Sequence, residues 1–425
     1  MAKIRPFHGL RYSAKAGDLH RLVAPPYDVI SSSERDQLAA QSPHNVVALT
    51  LPEQNDDDRS KFVKYARSAS RLQEWRQTGF IAAESEPAFY RYRQTFTVPG
   101  DSQVHERVAL ITLIKVEPYE NGVVLPHEQT FPKHKEDRLR ILEATRSHLE
   151  CIYGLFEDDT KQIFSEITAA PATGVADVTT PDGVRHIIEV ITDQSTIESI
   201  QAHIAPKRVW IADGHHRYET ALAFRQSIGG GTQEIAEDYM MMALSSIADP
   251  GLLLLPTHRI LKRCPVDAAE LRQRMASRFN VSDCENSKLI AAIAAIEQSG
   301  KHAFGIALPG GNGFVAEVGD LDAMTAQVPG SGSQRLKQLD VTLLHEVIFD
   351  QLLGLTGLDF FDYTRDPQEA IDAVENGAPA SFLMNPPTVD DMREIAIGGE
   401  KMPQKSTYYY PKILSGLVLW ALEDF

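Results

Sequence analysis

An apolar run, Val209-Trp210-Ile211-Ala212, stops at Asp213-Gly214, and His215, His216 and Arg217 follow before a run of good helix formers, Tyr218-Glu219-Thr220-Ala221-Leu222. One carboxylate, two adjacent imidazoles and a guanidinium thus meet where a strand ends and a helix begins. The first N–H groups of such a helix lack internal partners and, with the helix dipole, attract an anion. Gly214 has no Cβ and lets the anion approach the backbone. His215, His216 and Arg217 add donors and positive charge. The natural guest is a phosphate. The same residues also read as an N-cap and a solvated first turn. Against that, imidazoles and an arginine at the positive end of a helix oppose its dipole unless an anion or carboxylate offsets them.

Two further clusters carry reactive side chains. Pro126-His127-Glu128-Gln129-Thr130-Phe131-Pro132-Lys133, followed by Lys135-Glu136-Asp137-Arg138, concentrates acids and bases in a loop. Here Glu128 is the candidate general base, with His127 beside it, and Lys133 and Arg138 are candidate phosphate ligands. Lys135 to Arg138 also reads as an exposed helical turn with local ion pairs. His127-Glu128 begins like a zinc-protease helix, but Phe131 stands where a second histidine is required, and His345-Glu346 fails in the same way at Phe349. His345 therefore reads as structural. The third cluster, Gly398 to Thr407, ends in Lys405-Ser406-Thr407 like a phosphate-binding loop, yet Gln404 replaces the second glycine and Pro403 stiffens the turn. Lys405, Ser406 and Thr407 remain candidate donors to an anionic ligand, or a surface loop over packed tyrosines. Pro25-Pro26-Tyr27-Asp28 is a rigid turn presenting an aromatic ring and a carboxylate for a metal or a substrate amine, or simply burying Tyr27.

Composition narrows the function classes. Among 425 residues, 58 are acidic and 42 basic, a net charge of −16. That argues against generic nucleic-acid binding and requires any phosphate site to be a local basic pocket. Three scattered cysteines, Cys151, Cys264 and Cys284, without a Cys-x-x-Cys pair, suit a reducing compartment. No apolar run approaches the ~20 residues that span a membrane, and the N-terminal residues lack the apolar core of a secretory signal. The expectation is a cytoplasmic protein with a small-molecule substrate; oligomeric state is left open.

The elements that must position these residues alternate in type. Helices are predicted near 58–78, 135–148, 195–203, 268–279, 288–298 and 341–353. Strands are predicted at 89–98 and 104–116 around Pro99-Gly100-Asp101, and at 151–156, 187–191, 209–212, 238–246 and 252–261. A second hairpin is predicted at 304–308 and 314–318 around Gly310-Gly311. This pattern implies a mixed α/β (α+β) protein, whose hairpins exclude a purely parallel sheet. Pro329 to Ser333 is the best linker, separating a main region, 1–330, from a C-terminal region, 334–425, that packs on it and completes the site.

Several blocks together carry a resemblance. They are Ile4-Arg5-Pro6-Phe7, Val23 to Ile30, Ser42 to Val47, His127 to Thr130, Lys135 to Leu139, Ile211 to Leu222 and Met402 to Tyr408. On them the chain resembles an uncharacterised bacterial family known as a domain of unknown function, number ten-fifteen. The Asp213-Gly214-His215-His216-Arg217 loop alone resembles that of the free-serine kinases of the ParB/sulfiredoxin-like superfamily. That resemblance implies a ParB/sulfiredoxin-like element around the loop, ATP or ADP with Mg²⁺, Asp213 positioning the Mg²⁺ or the acceptor, and phosphoryl transfer to a small hydroxylated metabolite. Two alternatives stand beside it. One is a metal-dependent phosphate-ester hydrolase built on Asp213, His215, His216 and Glu219, of which His216 and Glu219 share a helical face. The other is a nucleotide sensor without turnover.

Overall fold

The computed structural model describes residues 1–128, 132–229, 231, 233–357, 359–403 and 405–425, excluding the side chains of 132–134. It is built around two sheets. In the first, strands Val124–Leu125, Val209–Asp213, Ile152–Phe156, Tyr239–Ser246, His105–Lys115, Phe89–Phe96, Arg185–Ile191 and Thr173–Thr179 lie side by side in that order, and Ile4–Arg5 also pairs with His105–Lys115. Val209–Asp213 runs parallel to Val124–Leu125 and antiparallel to Ile152–Phe156, which runs parallel to Tyr239–Ser246. The sheet is therefore mixed, and the protein is an α/β protein of mixed topology.

Both faces of the central strands are buried. Val209 and Ile211 join one apolar cluster, with the isoleucines of helix Gln194–Ile204; Trp210 and Ala212 point the other way into a second. This two-residue alternation between two cores explains why the strand reads in the sequence as an unbroken apolar run. The strand ends where apolar side chains end, at Asp213. Gly214 then takes φ +94°, and helix His215–Ile228 begins at once. A Cβ at Gly214 would lie 2.6 Å from Ile152 Cγ2, so the turn requires glycine for its backbone angle and for the close approach.

The second sheet is antiparallel throughout, in the order Asn280–Glu285, Asn312–Glu317, Ala303–Ala307, Ser381–Leu383, His258–Leu261 and Phe361–Thr364. Ile306 pairs with Phe382, so this sheet takes strands from both sides of Pro329–Ser333, and the boundary expected at 330–334 falls inside it. Two predicted elements take a different form. The strand expected over 252–261 is split: Leu253–Leu254 pairs with Tyr409–Tyr410, while His258–Leu261 joins the second sheet. Pro256 between them has no N–H to continue a ladder. The helix expected at 341–353 begins as a short α-turn, Asp340–Thr342, and continues over Leu343–Leu352 as a wider π-helix. No helix of the described residues is long and apolar enough to cross a membrane.

Candidate functional site

The polar end of the Val209–Asp213 strand opens into a cleft of about 690 Å³. Its wall combines Asp213, Gly214, His215 and His216 from the strand–helix junction with Glu128, with Tyr27 and Asp28, and with Arg365, Lys405, Thr407, Tyr408 and Lys412 from the C-terminal part. A volume of this size suits a small organic ligand.

Asp213 is the electrostatic centre. Lys412 Nζ lies 2.8 Å from its Oδ1, and the Arg217 guanidinium lies 3.4 Å from Oδ2. Burial alone would raise the Asp213 carboxyl; Lys412 and then Arg217 outweigh it and hold the group at about 2. Lys412 follows three tyrosines and a proline, with no local pattern that marks it in the sequence. The donor set does not fit Mg²⁺ at Asp213, because cationic side chains engage both carboxylate oxygens. Among the described residues, no group of three or more His, Cys, Asp or Glu is placed to hold a metal ion. The four-residue centre of the hydrolase alternative is not assembled either. His215 Nε2 accepts the His127 N–H at 3.2 Å, while Glu219 pairs with Lys135 and receives the Tyr119 hydroxyl at 3.4 Å.

Arg217, expected to hold phosphate, is turned away from the cleft. Its side chain is 9% exposed, and its Nη1 donates to the Cys151 carbonyl at 2.8 Å. Burial penalises its charge, but Glu150, Asp28 and Asp213 keep it protonated. The guanidinium also stands 5.7 Å from the centre of the Tyr27 ring, and Arg138 stands 3.9 Å from the same ring. Arg138 is itself committed to the Thr50 carbonyl at 2.9 Å and to Asp137, with Glu150 at 3.6 Å. These two arginines clamp Tyr27, whose N–H donates to Glu150 at 3.0 Å, and so fix the turn that carries Asp28 to the cleft. The Lys133 side chain lies outside the described residues.

His127 is fully buried and neutral. Burial depresses its pKa to about 4. Its Nδ1 lies 2.7 Å from the Ile211 carbonyl, which only accepts, so the ring proton sits there. Nε2, 2.8 Å from Thr407 Oγ1, then accepts the threonine proton. His127 is therefore not the base but the group that orients Thr407, whose oxygen is left to accept from the cleft. Ser406 is also turned inward, with its hydroxyl on the Pro403 carbonyl.

Glu128 has the properties of a base working near neutrality. Burial raises its carboxyl to about 7, against the lowering effect of the Lys405 N–H, which donates to Oε1 at 3.2 Å. Opposite it stands a cationic wall. Arg365 and Lys412 lie 4.2 and 4.5 Å from the centre of the Tyr408 ring, and Lys405 lies close enough to Arg365 for the two charges to disfavour each other. Among the described residues neither Arg365 nor Lys405 has an ion-pair partner, and Arg365 Nε is buried without a hydrogen bond. Two cations without ion-pair partners beside a third, Lys412, that is held by Asp213 make a surface suited to an anion. Arg365, like Lys412, carries no sequence motif and is visible only in the fold.

No curated protein matches the chain. A free serine kinase variant in complex with ADP is similar over 77% of this chain and 99% of its own, at 14% identity and a TM-score of 0.38. A conserved hypothetical protein from Pyrococcus furiosus is similar over 74% and 97%, at 16% identity and a TM-score of 0.34. A C-terminally truncated SbnI from Staphylococcus aureus is similar over 72% and 85%, at 10% identity and a TM-score of 0.34. At these scores the likenesses carry neither fold detail nor activity. The family model described as "Protein of unknown function (DUF1015)" matches residues 4–342, most of the chain, and the chain belongs to that family.

Proposed function

We propose that the protein transfers a phosphoryl group from a nucleotide, ATP or ADP, to the hydroxyl of a small metabolite. One observation carries this reading: a carboxyl poised at about 7, Glu128, shares a cleft of about 690 Å³ with Arg365 and Lys405, two cations without an ion-pair partner among the described residues, and with Lys412 beside them. The nucleotide as donor rests on the resemblance of the Asp213–Arg217 loop. In the step envisaged, the acceptor oxygen forms a bond to the terminal phosphorus as the bond from phosphorus to the leaving nucleotide oxygen breaks. The hydroxyl proton passes to Glu128. Arg365, Lys405 and Lys412 neutralise charge on the transferred group, where most catalysis of this reaction arises. Thr407 and Asp28 offer acceptors that orient the metabolite. Asp213 keeps Lys412 charged and in place.

The test is transfer of labelled terminal phosphate from ATP, and separately from ADP, to a panel of small hydroxylated compounds, alongside calorimetry of each nucleotide. Transfer by the wild type that falls about 10²-fold or more in Glu128→Gln supports the reading. Nucleotide binding without transfer to any acceptor would favour a sensor. Absence of binding at millimolar nucleotide would reject both.

A further inference from the structure

Arg259 is completely buried in the strand His258–Leu261, and no carboxylate pairs with it among the described residues. Its acceptors are all neutral: the Thr257 carbonyl, Met384 Sδ at 3.2 Å, His345 Nε2 at 3.3 Å and the Lys405 carbonyl at 3.2 Å. The aromatic ring of Tyr363 lies 5.6 Å away, and Arg365 and His258 are its other titratable neighbours. Burial lowers its pKa only to about 10, so it remains charged at neutral pH. An interior cation with only neutral partners is expensive, and an apolar side chain of the same shape would serve packing better. The fold retains it within hydrogen-bond reach of the backbone carbonyl of Lys405, a residue that lines the cleft.

Lys405 is one of three non-glycine residues at positive φ among the described residues, at +59°. That conformation is unfavourable for a lysine and needs support from both sides. It has that support: the N–H of Lys405 donates to Glu128 and its C=O accepts from Arg259. Arg259 is steadied in turn by His345, on the π-helix Leu343–Leu352, a helix type common at functional positions. Burial, with the charge of Arg259 beside it, depresses His345 to about 3 and keeps it a neutral acceptor.

We propose that Arg259, which does not line the cleft, is the positioning residue that holds Lys405 in its left-handed conformation, and thereby aims one N–H at Glu128 and the ammonium group into the cleft. The roles it serves rest on the reading of Glu128 as base and Lys405 as phosphate ligand. The hydrogen-bond relay itself does not.

The experiment follows the Glu128 carboxyl directly, by ¹³C NMR of glutamate-labelled protein, with the signal assigned by its loss in Glu128→Gln. The charges facing Glu128 are Asp213, Lys412 and Lys405. In Arg259→Met, Asp213 and Lys412 stay in place, while the Lys405 turn loses its carbonyl donor, its N–H leaves Glu128 and its ammonium group is no longer aimed into the cleft. The midpoint of Glu128 should then rise by about one pH unit, the effect of losing a hydrogen bond to a carboxylate. Arg259→Lys, whose donors share one nitrogen instead of a spread fork, should move the midpoint in the same direction by less. An unmoved midpoint in Arg259→Met would overturn the proposal. If Arg259→Met does not fold, Arg259→Lys decides: an upward shift supports the relay and no shift rejects it. The titration needs neither nucleotide nor turnover, so its outcome is independent of whether phosphoryl transfer is found.

Discussion

Replacing Lys412 with methionine tests the electrostatic centre of the cleft. The substitution keeps the length of the side chain and removes the charge 2.8 Å from Asp213. The Asp213 carboxyl sits at about 2 against an ordinary 3.8, a depression of about two pH units, or ~2–3 kcal/mol. Breaking a buried pair by deleting one partner costs ~3–5 kcal/mol. Here the side chains are 15% and 19% exposed and Arg217 remains at 3.4 Å, so the loss at pH 7 should fall near the lower end, ~2–3 kcal/mol. The sign follows from a depressed carboxyl. Its contribution is complete above the unfolded value of about 4 and disappears as pH falls through the folded value of about 2. The gap between wild type and variant should therefore be constant from about pH 8 to pH 5 and narrow below about pH 4. Urea unfolding followed by circular dichroism, on wild type, Lys412→Met, Asp213→Asn and the double variant, isolates the pair. A coupling energy under about 0.5 kcal/mol at pH 7, the range of an exposed ion pair, would refute the reasoning.

Other consequences follow from the same geometry. Gly214→Ala forces a Cβ to 2.6 Å from Ile152 Cγ2 at a φ that disfavours side chains, so urea unfolding should show a loss of ~2–4 kcal/mol. Glu128 has a raised carboxyl and binds its proton more tightly when folded, so the wild type should lose stability as pH rises from about 4.5 to 7; Glu128→Gln should abolish that slope and be the more stable protein at pH 8. Thr407→Val leaves His127 Nε2 buried without its donor and should cost ~1–3 kcal/mol by thermal unfolding, whereas Thr407→Ser should cost well under half of that.

Much of the architecture is legible because it rests on local periodicity. The apolar run at 209–212 and its break at Asp213-Gly214 announce the strand, the turn and the helix, and the hairpins around Gly100 and Gly310 announce themselves by turn residues. Failures come where tertiary context overrides a local pattern. The apolar stretch 252–261 reads as one strand, but its halves pair with different partners across Pro256. Of the candidate site, Glu128 and Lys405 do face one cleft, although 277 positions separate them. The direction of a side chain was not legible. Arg217, Ser406 and Glu219 carry suitable chemistry, yet each is turned to a local partner. Lys412 is 199 residues from Asp213, and no spacing rule connects them. Arg259 lies inside a strand, where an arginine gives no sign that its target is a loop 146 residues away.

The central claim is that the cationic wall of the cleft holds nucleotide phosphate. Calorimetric titration of ADP and ATP into the wild type, Lys405→Ala and Arg365→Ala tests it most directly. The wild type should bind at least one nucleotide with a Kd below about 1 mM, and each variant should weaken that binding about ten- to a hundred-fold, the effect of one charge-assisted phosphate contact. Binding that neither variant weakens, or no heat at millimolar nucleotide, would contradict the account.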